Sequence, residues 1–332
     1  MKIFYAVQAT GNGHISRAIE LLPHLQQYGE VDVFLSGSNA SLPTTLPVKY
    51  TSKGVSFFYR KNGGLDYLLT AKKLAPLRAW KEAKQLPVEK YDMVINDFES
   101  ITSLACKIKK IKSINFGHQA SFISNKTPRP ANKSLIGEWV LKHYAPATTY
   151  VGLHFQQYDS FIYNPVIKAD ILNADVKDEG HITVYLPHYS DEYVLKSLKT
   201  LTGSDSLRFE VFSKAVKEIV INDNISFIPV NNFAFNKSMA TSHGTITGAG
   251  FETPAEVLYM GKKLMCFPIK GQYEQYCNAE ALKHFNVPVI NSLDETFATQ
   301  FKNWLNNKNI QPLTLTHSTQ QIIEAVMNKW KE

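Results

Sequence analysis

The sequence predicts an α/β protein with two doubly wound domains facing each other across a cleft. Its 332 residues exceed what one hydrophobic core usually serves. Short β-branched and aromatic runs alternate with amphipathic stretches, which is typical of parallel sheets covered by helices on both faces. An Asn-Pro pair at 164–165 interrupts this alternation. We therefore expect one domain over residues 1–164, a second over 165–318, and a closing helix over 319–332.

The individual elements follow from hydrophobic periodicity. In the first half, strands are predicted over 2–7, 31–37, 91–100 and 112–119, extended chain over 48–60, and helices over 15–29, 66–74, 77–86 and 103–111. In the second half, residues 181–201 predict a strand, a loop and a helix, further strands are predicted over 207–213, 225–230, 243–247 and 264–269, and a helix over 319–330. Ligands of such sheets bind at the carboxyl ends of the strands.

Composition excludes several classes of protein. The apolar fraction of 44% and the charged fraction of 20% are those of a folded globular chain. The three cysteines form no CxxC pair, which argues against a disulfide framework and a zinc site. No apolar run is long enough to span a membrane, and the first residues lack a signal-peptide pattern. We expect a cytoplasmic protein.

The positive charge is concentrated in the first half. Residues 1–165 contain 20 Lys and Arg against 11 Asp and Glu, whereas the remainder contains 16 against 18. This asymmetry favours an anionic partner at the first half, such as nucleic acid, a phospholipid surface or a phosphorylated substrate. A lysine-rich solvated surface is the plainer alternative.

The most informative stretch is residues 244–282. Its glycines permit close approach of a ligand to the backbone, and the N-terminus of the following helix attracts phosphate. Thr253 to Glu256 also has the form of a capping box, with the helix ending at Gly261, so Glu256 could simply close its own helix. The turn predicted at 270–278 offers a carboxylate and two amides that suit the hydroxyls of a sugar. The alternative is a surface helix start with solvated polar groups.

Taken together, this stretch resembles the nucleotide-sugar signature of GT-B glycosyltransferases, in the branch of bacterial UDP-sugar transferases that form lipid II. The matching positions, in order, are Gly250, Glu256, Gly261, Pro268, Glu274, Gln275, Asn278 and Ala279. A match over about forty residues in fixed order is far more specific than a lone glycine motif. The resemblance implies two Rossmann-like domains, a nucleotide-sugar donor with UDP as the expected nucleotide, no resident cofactor and no nucleic-acid partner. It also implies that the closing helix crosses back to the first domain.

The resemblance assigns donor-binding roles along the second domain. Glu256 would bind the ribose, Glu274 and Gln275 the donor sugar, and the backbone near Phe233 and Ala234 the base. The full donor-side set is His188, Tyr189, Ser190, Phe233, Ala234, Gly248, Gly250, Thr253, Glu256, Glu274, Gln275 and Asn278. The loop at 186–190 stands where the family contacts the diphosphate, although His188 and Tyr189 replace its usual small residues.

The turn at 11–14 follows the first predicted strand. Its glycines form a loose dinucleotide fingerprint, but no acidic residue ends the next strand, so NAD is rejected. In the resemblance this turn faces the acceptor, and His14 is the candidate general base, because an imidazole titrates near working pH. A structural role as a helix cap or phosphate contact is the alternative. Asp97 could orient or replace His14, and Gly13, Glu99 and His118 are expected on the acceptor side.

Two absences bear on mechanism. The sequence has no Asp-x-Asp, the usual motif that bridges a metal to a diphosphate, so we expect metal-independent transfer. Retaining GT-B enzymes commonly carry a second Glu eight residues before the position of Glu256, which here is Gly248. We therefore expect inversion by direct displacement.

The expected acceptor is a glycan, a lipid-linked molecule or a small molecule. The basic stretch 66–86 carries leucines and Trp80 among its lysines, so an anionic membrane surface is a further candidate partner. Two packed helices with snorkelling lysines are the alternative. Two functions compete with transfer: a UDP-sugar epimerase of the same fold, and a non-catalytic nucleotide-sugar binder.

Overall fold

In a computed structural model of the chain, the structure describes residues 1–9, 11–37, 45–54, 76–201 and 207–332. The predicted helix at 66–74 and part of the extended chain at 48–60 lie outside these ranges. Within them, the chain forms two α/β units that meet along a cleft. None of the described helices combines the length and apolar composition that crossing a bilayer requires.

The first sheet has seven strands in the order β3-β2-β1-β4-β5-β6-β7, all parallel. They are β1 Lys2–Gln8, β2 Glu30–Ser36, β3 Val48–Ser52, β4 Met93–Asp97, β5 Ile114–Gly117, β6 Thr149–Leu153 and β7 Ile162–Tyr163. The helices of this half are α1 Asn12–Gln26, α2 Pro76–Gln85, α3 Ser100–Lys109 and α4 Leu135–His143, with 3-10 turns at Val88–Lys90 and Gln119–Ile123. The strands alternate with helices as the sequence predicts.

The second sheet has six strands in the order β10-β11-β9-β8-β12-β13, parallel except for the β10–β11 pair. They are β8 His181–Tyr185, β9 Arg208–Ser213, β10 Val220–Asn222, β11 Ile225–Pro229, β12 Gly244–Gly248 and β13 Lys263–Phe267. The helices are α5 Ala169–Leu172, α6 Asp191–Lys199, α7 Asn232–Thr241, α8 Glu252–Tyr259, α9 Tyr273–Lys283, α10 Phe297–Asn306 and α11 Thr319–Lys331. The change from one sheet to the other falls between Tyr163 and His181.

The two units share apolar packing. One cluster of buried side chains joins Ile3 and Tyr5 of the first sheet to Phe251 and Ala255 at α8. The last helix, α11, packs against α1, β5 and β6 of the first unit. Because burial of apolar surface is the main favourable term in folding, these contacts hold the two sheets in a defined relation.

Several local expectations were wrong. The polar segment at 270–278 is not a turn but mostly the start of helix α9. Helix α8 begins at Glu252 rather than at Pro254, and no side chain caps it, so the capping box does not form. Its end is as expected, since Gly261 follows with a left-handed φ of 67°. Helices α4 and α10 and strand β6 were not predicted from the sequence.

Candidate active site

A cavity of about 750 Å³ lies between the two units, at the carboxyl ends of strands from both sheets. The first unit lines it with Gln8, Gly11, Asn12, Gly13, His14, Phe98, His118 and Gln119. The second unit lines it with Tyr185, Pro187, His188, Lys214, Thr247, Gly248, Gly250, Phe251, Glu252, Thr253, Pro254, Ile269, Gln272, Glu274 and Gln275. Doubly wound sheets place ligands at this position.

His14 and Asp97 form a pair on the wall supplied by the first unit. His14 lies in the first turn of α1, and Asp97 is the last residue of β4, the strand beside β1. Nδ1 of His14 lies 2.9 Å from Oδ1 of Asp97. A carboxylate only accepts, so Nδ1 carries the proton and donates it. This leaves Nε2 with no partner among the described residues, and the His14 side chain lines the cavity.

Arg17 lies behind this pair and is almost wholly buried. One of its terminal nitrogens, Nη2, donates to both carboxylate oxygens of Asp97 at 2.8 Å. The other, Nη1, forms an ion pair with Glu252 in the first turn of α8. Since Glu252 belongs to the second unit, the guanidinium joins the two walls of the cavity.

The charges of this cluster act on one another. Burial lowers the pKa of His14, but the charge and hydrogen bond of Asp97 outweigh burial, and the net pKa is raised. Burial raises the pKa of Asp97, but Arg17 and His14 outweigh that effect and the net pKa is lowered. Asp97 is therefore a carboxylate at neutral pH and His14 a base of raised proton affinity.

His118 is a weaker candidate for a base. Its Nδ1 lies 3.0 Å from the carbonyl oxygen of Leu153, and its Nε2 lies 2.8 Å from Oδ1 of Asn278. The ring also stacks on Phe251 at 3.9 Å between centroids. Burial lowers the pKa of His118. Each ring nitrogen lies within hydrogen-bond distance of an oxygen atom of the protein, and the ring is fully buried, so His118 is poorly placed to take a proton from a substrate.

Asn278 and Glu274 connect α9 to the first unit. Asn278 is fully buried, and its Nδ2 donates to the carbonyl oxygen of Ala249 at 3.1 Å. The expected contact between Asn278 and a sugar is therefore not what the structure shows, because both ends of its amide are occupied. Glu274 does line the cavity, where Nε2 of Gln119 donates to each of its carboxylate oxygens at 3.1 Å.

The wall supplied by the second unit has unmet hydrogen-bonding capacity. Both ring nitrogens of His188 are buried and have no partner in the described structure, and burial lowers the pKa of this residue to about 4. The N-terminus of α8, which lines the same cavity, has no side-chain cap. Lys214, after β9, also lines it and forms no ion pair with a described residue. These groups all suit an anion.

Glu256 lies one turn beyond Glu252 on α8 and does not line the cavity. Its side chain is 3% exposed, and Oε1 lies 3.1 Å from Nζ of Lys168 in the segment that connects the two sheets. Oε2 is buried and has no partner among the residues that the structure describes. Burial raises the pKa of Glu256 to about 6, against the opposing charge of Lys168. The expected contact between Glu256 and a ribose is therefore not present in this structure, because the carboxylate is buried and the residue does not line the cavity.

Comparison with known proteins identifies the family. A model described as glycosyl transferase family 1 matches residues 1–307. The chain belongs to this family of glycosyltransferases. No curated protein matches the chain.

Several solved structures share the fold of this chain. Their sequence identities to it are low, so the similarity shows the fold alone. LpCGTa, solved in complex with UDP, has a TM-score of 0.63 and 11% identity, covering 100% of this chain and 99% of its own. A UDP-N-acetylglucosamine 2-epimerase has a TM-score of 0.57 and 15% identity, with 100% and 97% covered. MurG of Acinetobacter baumannii has a TM-score of 0.52 and 16% identity, with 98% and 99% covered. The predicted GT-B architecture is confirmed.

The remaining expected site residues of the glycosyltransferase lie away from the cavity. Glu99 is fully buried and caps α3, accepting from the backbone of Ile101 and Thr102, so it does not face an acceptor. Ser190 caps α6. Tyr189, beside His188, does not line the cavity. Phe233 is 78% exposed at the start of α7, and the backbone N–H of Ala234 donates to Asn231 rather than being free for a base.

Several residues of the site were not among the candidates predicted from the sequence. They include Arg17, Glu252 and Lys214, each of which touches the cavity or its charged cluster. Lys214 could have been found, since it directly follows a strand that ends at the cleft. Arg17 lies one helical turn after His14, which places the two side chains on one face of α1. The pairing with Glu252 depends on how the two units dock and leaves no signal in the sequence.

Proposed function

We propose that this glycosyltransferase moves a sugar from a nucleotide diphosphate, with UDP as the nucleotide, to an acceptor hydroxyl. One observation carries the proposal: the His14–Asp97 pair and the uncapped N-terminus of α8 border the same cavity. The first can accept a proton, and the second can hold a diphosphate. Family membership and the UDP complex of LpCGTa support the choice of donor.

The proposed reaction is a single displacement with inversion. Nε2 of His14 takes the proton of the acceptor hydroxyl while that oxygen attacks the anomeric carbon. The bond from the anomeric carbon to the phosphate oxygen breaks, and the nucleoside diphosphate leaves. Asp97 stabilises the imidazolium that forms. The negative charge that develops on the leaving group would lie near the N-terminus of α8, His188 and Lys214, so no metal ion is required.

The donor sugar is proposed to be a hexose or an N-acetylhexosamine. Glu274 and Gln275 line the cavity and offer acceptors and donors for sugar hydroxyls. In the structure Glu274 accepts from Gln119, and Gln275 accepts from the backbone of Ile269 at 2.9 Å. A sugar would exchange these contacts for its own hydroxyls. Glu256 would bind the ribose through its unpaired oxygen.

A lipid-linked acceptor at an anionic membrane surface is part of the proposal. Leu135, Ile136 and Trp139 on α4 are 87%, 61% and 61% exposed, and Lys133 and Lys142 flank them. Exposed apolar side chains with a lysine on either side in the sequence suit the surface of an anionic bilayer. Sedimentation with vesicles of phosphatidylglycerol, but not of phosphatidylcholine, would support it. Leu135→Ser with Trp139→Ser should abolish that binding; equal sedimentation of the variant would refute this part.

The donor is tested first by a thermal-shift screen of nucleoside diphosphates and their sugars. We expect UDP and a UDP-sugar to raise Tm, as ligands of the native state do, and adenosine or guanosine diphosphates to raise it less. Incubation of UDP-N-acetylglucosamine alone then separates transfer from epimerisation, because only an epimerase would convert it without an acceptor. Absence of any shift at millimolar concentrations would refute the proposed donor class. Binding without transfer to any lipid or glycan acceptor would favour a non-catalytic binder.

A further inference from the structure

The guanidinium of Arg17 is shared between two carboxylates that belong to different halves of the molecule. Its side chain is 2% exposed, and it binds Asp97 within its own unit and Glu252 on α8 across the cleft. Glu252 is 23% exposed and borders the cavity. Arg17 thus binds one carboxylate of its own unit and one carboxylate of the other unit. The charge around this buried guanidinium therefore depends on the distance between the two units.

Two glycines make room for these carboxylates. A Cβ atom on Gly13 would lie 2.6 Å from Oε2 of Glu252, and one on Gly117 would lie 2.7 Å from Oδ1 of Asp97. A side chain at either position would force the neighbouring carboxylate to shift. The glycine before His14 therefore serves the approach of Glu252 to α1, which gives the turn at 11–14 a reason other than phosphate binding.

We propose that Arg17 and Glu252 couple closure of the cleft to the uptake of a proton by His14, with Arg17 as a positioning residue. The proposal rests on the proposed role of His14 as the base. Nη2 of Arg17 also lies 3.1 Å from Nδ1 of His14. Both nitrogens are donors directed at Asp97, so the guanidinium charge stands directly beside the imidazole and opposes its protonation.

The sign of the coupling follows from the charges. The groups that act on His14 are Asp97 at the end of β4, Arg17 on α1 and Glu252 on α8. Tyr5 of β1 adjoins Asp97 and Arg17 and is neutral, since burial raises its pKa well above the ordinary value. Without Glu252, Arg17 and Asp97 cancel, and protonation of His14 leaves a buried positive charge. With Glu252 in place, the cluster carries one negative charge, which the imidazolium neutralises. Closure therefore makes His14 a stronger base when the substrates are enclosed.

The test follows the protonation of His14 by NMR in the whole, ligand-free protein, with labelled histidine and His14→Gln to assign the signal. We expect Glu252→Gln to lower the pKa of His14 by about one unit, because a neighbouring counter-charge is lost. Arg17→Gln should shift it the other way, because the opposing cation is removed. Opposite shifts are a signature that general loosening of the fold would not produce.

Controls keep the outcomes distinct. Glu138→Gln neutralises another carboxylate that joins the two units, the acceptor of the 2.7 Å hydrogen bond from Tyr273, and should leave the His14 pKa unchanged. Arg17→Lys keeps the charge and should shift it less than Arg17→Gln. If Arg17→Gln does not fold, the partly exposed Glu252→Gln carries the test alone. No shift with Glu252→Gln would overturn the coupling. A shift in a protein without transferase activity would instead uphold the coupling and refute the proposed function.

Discussion

The two walls of the cavity differ in the polar groups that they present. On the wall of the first unit, the carboxylate of Asp97 accepts from both His14 and Arg17, and Nε2 of His14 has no partner among the described residues. On the wall of the second unit, His188 has two unpartnered ring nitrogens and helix α8 lacks a cap. A buried polar group without a partner is costly, so such groups mark places where a ligand supplies the missing contact. The first wall is thus organised for proton transfer and the second for binding an anion.

The contrast is tested most strongly by His14→Ala. We expect a loss of turnover of about 10²–10⁴-fold, the usual contribution of a positioned base. UDP affinity by calorimetry should stay nearly unchanged, because His14 belongs to the other wall. His24→Ala on the same helix serves as the control and should keep full turnover. Equal turnover in His14→Ala would remove this residue as the base.

The pH profile gives the next largest effect. A base acts in its neutral form, so kcat/KM should rise about tenfold per pH unit below the pKa of His14 and then level off. Because Asp97 raises that pKa, the midpoint should lie above the ordinary value of 6.5. Asp97→Asn removes the carboxylate and should move the midpoint to lower pH. A midpoint that does not respond to Asp97→Asn would break the proposed pairing.

Glu256 lies on α8 but does not line the cavity, so its variants test whether it binds the ribose or only Lys168. Glu256→Gln should weaken UDP binding by about 1–3 kcal/mol if the carboxylate binds the ribose. Lys168→Met breaks the 3.1 Å ion pair but retains the carboxylate, so it should lower Tm and leave UDP affinity close to wild type. If both variants lower Tm and neither changes UDP affinity in calorimetry, Glu256 is purely structural.

His188 also lies on the second wall, and a smaller effect on UDP binding is expected from its replacement. Its ring is neutral at pH 7, since burial holds its pKa near 4, and it can donate one hydrogen bond to a phosphate oxygen. His188→Ala should weaken UDP binding by about 1 kcal/mol, as measured by calorimetry. His243→Ala, at a surface histidine paired with Asp178, is the matched control. A larger loss for the nucleoside than for the diphosphate would contradict a phosphate contact.

Much of the fold and half of the proton-transfer site could be predicted from the sequence. The alternation of apolar and amphipathic runs predicts parallel sheets, and the carboxyl ends of adjacent parallel strands meet at one edge. That rule alone brings His14, after β1, near Asp97 at the end of β4. The contacts of His118 with Asn278 and of Arg17 with Glu252 depend on docking of two units, which no local pattern encodes.

Helix α9 shows why one segment was misread as a turn. Its buried residues, which include Tyr273, Gln275, Cys277 and Asn278, are spread around the helix because it packs against both units. A helix buried on most sides lacks the one-sided periodicity by which helices are recognised. Polar residues such as Asn278 are buried there because partners across the cleft satisfy them. The polar residues of this segment therefore led to the prediction of an exposed turn, whereas the structure has a buried helix between the two units.

The smallest expected effect is that of removing divalent metal. If the anion-binding wall is sufficient for the leaving diphosphate, a chelator should leave the rate of transfer unchanged, because α8, His188 and Lys214 supply the donors and the positive charge. Rates measured with and without chelator, and after added Mg²⁺, check this. Lys214→Met should then slow transfer, whereas Lys217→Met, three residues further on, should not. Activity lost to the chelator and restored by Mg²⁺ would show that the second wall needs a metal ion to complete it.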